Sequence, residues 1–183
     1  MTAPFSAAFT RVSIEGARPT YAVTVPGISL AATATDFATL AASPTKVVRL
    51  TGVRVSGTAT AGATIAFYLI KRSTANTSGT AVALTAGRYD NRTPVSSAVA
   101  QYYSANPTLG TGAAIREEHM IVPAATSPGT AQVPLIWDFA FSGGMQPTLL
   151  PGSADTLALN FGGAAVPSGL SIHASLEWTE DDT

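Results

Sequence analysis

Two histidines, His119 and His173, are the chain's whole supply of imidazole, and cysteine is absent. Thiol catalysis, disulfides and cysteine-ligated zinc are therefore excluded. No His-x-His or His-x-x-x-His spacing brings the two imidazoles together as metal ligands. His173 falls on the polar phase of an alternating segment. His119, in Arg116-Glu117-Glu118-His119, shares its phase with Glu117. Both are expected as solvent-facing strand residues rather than ligands or bases.

The carboxylates read similarly. Glu117 and Glu118 are neighbours, so on a strand they point to opposite faces and cannot share a substrate. Asp138 and Glu177 lie in separate strand-like segments and can flank one groove. A glycosidase needs two such groups at a set separation, but with 11 acidic residues in all a chance pairing is the expectation. The tail from Glu177 to Thr183, with Glu180, Asp181 and Asp182, is expected as a solvated end. Asp90, Asn91 and Asp155 do not form the spaced oxygen run of a calcium loop. Gly110-Thr111-Gly112 is not a phosphate loop, and no Gly-x-Ser-x-Gly elbow is present. Arg49, Arg54, Lys71 and Arg72 read as polar sandwich edges. The expectation is a protein with no catalytic residues, no cofactor and no metal.

The elements that carry these residues follow from composition and period. Of 183 residues 46% are apolar and only 11% charged, with 16 Gly and 12 Pro. Ordinary soluble domains are about 25% charged, and so few charges cannot solvate the outer surfaces of a helical bundle. The length suits one domain. A net charge of −1 lacks the footprint of a nucleic-acid binder and draws no anionic membrane. No run reaches the roughly 18 uninterrupted apolar residues of a membrane span. Met1 to Thr20 has neither the basic start nor the apolar stretch of a secretory signal, so synthesis in the cytoplasm is expected. On that route Asn76-Thr77-Ser78 and Asn91-Arg92-Thr93 are chance glycosylation triplets.

Alternation is the strongest signal. Leu170, Ile172, Ala174, Leu176 and Trp178 form one face; Ser171, His173, Ser175 and Glu177 form the other. Val133 to Phe141 alternates with an aromatic face, and Leu157 to Phe161 follows the same period. In Lys46–Ser56 the valine phase switches at Gly52, which predicts a β-bulge. Ala63 to Arg72 is apolar on both faces, predicting a central strand buried on both sides. Tyr21–Val25, Thr80–Ala86 and Ile115–Val122 complete eight strands. Thr35 to Leu40 predicts one short helix, with Thr35 as cap and Asp36 in its first turn. Val95–Tyr103 fits either helix or strand, with strand preferred because Pro94 and Pro107 bracket it. Gly and Pro turn clusters separate these pieces. The fold expected is an all-β, antiparallel β-sandwich, jelly-roll-like, over residues 21–183, with residues 1–20 as an extended N-terminal arm.

Thr45 to Gly57, Lys71 to Thr80, Tyr103 to Thr111, Trp137-Asp138-Phe139 and Leu176 to Glu180 together resemble small virion proteins of tailed bacteriophages. The resemblance spans roughly Thr35 to Glu180 and rests on turns and strand edges. It implies a structural role as an exterior capsid decoration (cement) protein, with the major capsid protein as partner and no catalytic residues. Three-fold sites on such shells suggest a homotrimer. In the arm, Phe5, Phe9 and Val12 are the candidate capsid contacts, because an otherwise polar arm gains affinity by burying such groups; packing on the domain's own sheet is the alternative. A head-fibre base, a tail-associated adaptor or a carbohydrate-binding sandwich for host attachment remain as other roles. For the last, Tyr89, Tyr102 and Tyr103 are the candidate sugar-stacking rings.

Overall fold

The computed structural model describes residues 18–28, 30–126, 133–140 and 145–182. In chain order the strands are β1 (Thr20–Ile28), β2 (Asp36–Ala41), β3 (Lys46–Thr58), β4 (Ala63–Arg72), β5 (Thr80–Leu84) and β6 (Gly87–Arg88). They continue as β7 (Val99–Ala105), β8 (Gly112–Val122), β9 (Leu135–Asp138), β10 (Thr148–Leu149), β11 (Thr156–Asn160) and β12 (Ser171–Asp182). Two antiparallel sheets result. The first runs β10–β3–β12–β1–β6, with β9 also pairing with β3; the second runs β5–β7–β2–β11–β4–β8. The protein is an all-β, antiparallel β-sandwich.

Winding is nested. β1 and β3 lie in the first sheet, β2 and β4 in the second, so the early chain steps between layers. β12 then inserts between β1 and β3, and β11 between β2 and β4. Early strands are thus paired with late ones within each sheet.

One core fills the space between the layers. Tyr21, Val23, Val53, Val55, Leu176 and Trp178 from the first sheet meet Phe37, Ile65, Phe67, Leu69 and Leu159 from the second. Tyr21 stacks on Trp178 at 6.0 Å, and Phe37, Phe67 and Phe161 form a second ring cluster with centroids 4.7–6.0 Å apart. Each such side chain contributes about 1.5–3 kcal/mol by leaving water.

The phase switch in β3 is a bulge. Glu177 pairs with Gly52 and Trp178 with Leu50, so Thr51 is the extra residue. Val48 and Leu50 before it, and Val53 and Val55 after it, consequently all reach the core.

Four local expectations are corrected. Thr35–Leu40 is not helical: Asp36–Ala41 is strand β2, held between β7 and β11. Thr35 caps no helix and Asp36 opens no first turn; the Asp36 carboxylate is buried against Arg72. Only Val99 onward in Val95–Tyr103 is strand, and Val95 is exposed. In β4 just one face is fully buried, through Ile65, Phe67 and Leu69. Buried on both faces instead are β2 and β11, because connecting loops cover the outside of the second sheet there. Finally, among the described residues of Val133–Phe141 the strand covers Leu135–Asp138, and Val133 is exposed.

Thr20 pairs with Thr179 in the first sheet. Arg18 forms an ion pair with Asp181 at 3.3 Å. Phe5, Phe9 and Val12 lie outside the described residues.

Candidate functional site

The histidines stand on different sheets, both exposed. His119 is on β8, 3.7 Å from Glu117, and His173 is on β12. Glu117 and Glu118 diverge as strand geometry demands. Glu118 turns toward the first sheet and accepts a hydrogen bond from Trp137 Nε1 at 2.6 Å. Glu117 sits opposite Tyr68 and accepts from its hydroxyl, which raises the tyrosine pKa. Asp90 chelates the Arg92 guanidinium, and Asp155 pairs with Lys71; neither loop presents a converging oxygen cage. Among the described residues, no three His, Cys, Asp or Glu side chains gather as metal ligands.

Of the three candidate tyrosines only Tyr89 remains available. Tyr103 is buried in β7 and bonded to Gln101, and Tyr102 packs against the core. Tyr89 is 64% exposed, and its hydroxyl donates to Glu177 Oε1 at 3.1 Å. Partial burial, followed by the contact with Glu177, raises its pKa.

Asp138 and Glu177 do come together. Both are register partners of Gly52, from β9 on one side of β3 and β12 on the other. Their neighbours Trp137 and Leu176 point into the core, so these two carboxylates project from the outer face. Gly52 offers no side chain between them. The result is a trough of about 180 Å³, lined by Arg54, Ser175 and Ile136 along with the two acids. A Cβ on Gly52 would lie 3.5 Å from Glu177 Oε2, so that oxygen hangs over the floor.

A second surface had no clear signature in the sequence. β8 is the edge of the second sheet, and β9 lies on the same side of the first. They meet through Glu118 and Trp137, with the Arg116 guanidinium 5.8 Å from the Trp137 ring and 5.6 Å from Phe139. Along this seam opens an apolar groove of about 300 Å³, lined by Met120, Ile121, Pro123, Val133, Pro134 and Leu135. Ile121 is 71% and Val133 70% exposed. The alternation of β8 hinted at one apolar position. The contribution of Val133 and Pro134 depends on a pairing between segments far apart in sequence.

Among the other described charged residues, two correct the sequence reading. Arg72 is no polar edge: its guanidinium is buried and donates to Asp36 through Nε at 2.6 Å and a terminal nitrogen at 2.7 Å. Asn76 and Asn160 complete the donors to Asp36, at 2.7 and 2.6 Å. Arg72 also reaches the Gly110 carbonyl, and Asn76 accepts from the Gly110 N–H. The β4–β5 and β7–β8 connections are thereby held over the outside of the second sheet. The acidic tail is no loose end either. Glu180 is buried, and its carboxylate accepts from Ser96, Ser97, Ala98 and Trp178. Burial works to raise this carboxyl, but the donors from Ser96, Trp178 and Ser97 together outweigh it and hold it below its ordinary value.

Compared with known protein families, characterised proteins and solved structures, the chain matches none.

Proposed function

We propose that this protein is a structural virion component of a tailed bacteriophage, an exterior capsid decoration protein that binds the assembled head and opposes its rupture. The observation that carries the reading is the apolar groove at the β8–β9 seam, where Ile121 and Val133 stand in water. Exposed apolar surface gathered at one place suits adhesion. The groove sits on a sheet edge whose flanks, Glu118 and His119, supply a polar rim. The resemblance of residues 35–180 to small virion proteins points the same way.

In this role the mechanism is mass action: copies that bind only the closed shell lower its free energy relative to any opened form. The major capsid protein is the partner, and a homotrimer matches the shell's three-fold positions. Phe5, Phe9 and Val12 would add further anchors.

The test uses heads assembled without this protein, to which purified full chain is added back. The expected outcome is saturable co-sedimentation and a raised temperature of DNA release. Ile121→Asp with Val133→Asp should weaken binding by about a hundredfold, the equivalent of two buried apolar anchors. Absence of binding to intact heads, or density for the chain away from the capsid wall in particle images, would refute the proposal.

A further inference from the structure

The trough over Gly52 lies on the outer face of the first sheet, and the adhesion reading makes no use of it. Its chemistry is specific. Asp138 and Glu177 flank an empty position on β3, their Cα atoms two strand spacings apart, about 9.6 Å. Beyond that row, Arg54 lies between Ile136 and Ser175, its register partners. Among the described residues, the Arg54 side chain makes no hydrogen bond or ion pair. Glu177 spends Oε1 on the Tyr89 hydroxyl and holds Oε2 over the floor. Asp138 Oδ1 accepts the Ala140 N–H at 3.0 Å. The exposed Tyr89 is tied to Glu177 through its hydroxyl.

Charge decides what such a trough accepts. Two carboxylates disfavour a phosphate, a sulfate or a carboxylate ligand. The Arg54 guanidinium disfavours a metal cation, which would also find too few ligands. A neutral molecule rich in hydroxyl groups satisfies both signs: its hydroxyls donate to the acids while its oxygens accept from Arg54. The volume, about 180 Å³, is below the range of about 300 Å³ and upward typical of drug-sized pockets. It fits a single ring rather than a long ligand.

We infer that the Gly52 trough is a binding site for one neutral hexose ring, gripped by Glu177, Asp138 and Arg54. The site does not depend on the virion reading, and either can fail alone.

The probes are the methyl glycosides of glucose, galactose and mannose, titrated into the full chain and followed by amide NMR shifts. N-acetylneuraminate serves as the anionic control. At least one neutral glycoside should shift the amides of Gly52, Arg54 and Glu177 with millimolar affinity. Glu177→Gln should weaken it roughly tenfold, by removing a charge-assisted hydrogen bond. Gly52→Val fills the floor, and a β-branched residue suits a strand. It should abolish the shifts while thermal melting stays close to wild type. The inference is overturned if no neutral glycoside shifts these amides at about 20 mM, far above a millimolar Kd. It is equally overturned if binding survives Gly52→Val, or if the anionic sugar binds as well as the neutral ones.

Discussion

Replacing Asp36 with Asn tests the claim that a buried ion pair holds the loops over the second sheet. Asp36 receives four hydrogen bonds between 2.6 and 2.7 Å, two from Arg72 and one each from Asn76 and Asn160. The Arg72 side chain is only 5% exposed and Asp36 is fully enclosed. Asp36→Asn swaps one acceptor oxygen for a donor that faces other donors, and leaves the guanidinium buried without its counter-charge. Breaking a buried pair in this way costs about 3–5 kcal/mol, against a total stability of about 5–15 kcal/mol for a domain. For a chain of this length each kcal/mol is worth about 2–4 °C, so the melting temperature should fall by about 6–20 °C. Urea unfolding at pH 7 gives the free energy directly. The double change Asp36→Leu with Arg72→Met removes both charges and should cost less than Asp36→Asn alone. Native-state hydrogen exchange adds a local readout: the Gly110 N–H, bonded to Asn76, should exchange faster in Asp36→Asn. A loss under about 1 kcal/mol, or single changes that simply add, would refute the reasoning.

Two further outcomes follow from neighbouring features. Glu180 is depressed in the fold and returns to its ordinary value of 4.5 on unfolding. Its stabilisation is therefore complete above that value and fades as pH falls through the lower, folded one. Urea titrations from pH 7 to 2.5 should show the wild type's advantage over Glu180→Gln shrinking below 4.5; a pH-independent gap would contradict the assignment. Gly169 has φ +65°, and a Cβ there would collide with Thr60 Oγ1. Gly169→Ala should lose more than about 1 kcal/mol by thermal melting, and an unchanged midpoint would count against that backbone strain.

The layers of the sandwich were readable in the sequence because they are written in local period. The alternation of residues 170–178 predicts the strand that anchors the first sheet, and the phase switch at Gly52 marks a bulge that falls at Thr51. Misreadings arose where distant residues override local preference. Thr35-Asp36 has the composition of a helix cap, but Arg72, 36 positions away, claims the carboxylate. The residues before Val99 look strand-like, yet Ser97 and Ala98 direct their N–H groups to Glu180, more than eighty positions on. The pairing of Asp138 with Glu177 was visible only as a possibility, since alternation tells which face a residue takes and not which strand stands beside it. The apolar groove was illegible for the same reason.

The nested order of strands has a consequence for how the molecule comes into being. β11 and β12 occupy central positions in their sheets, flanked on both sides by strands made long before them. A nascent chain that has emerged only as far as residue 155 therefore holds two open slots, each walled by unpaired amides and apolar side chains. Neither layer can close until residues 156–182 leave the ribosome. Loop-closure entropy makes such late, distant pairing slow. Folding should then wait for β11 and β12, and the exposed slots give chaperones their opportunity to bind.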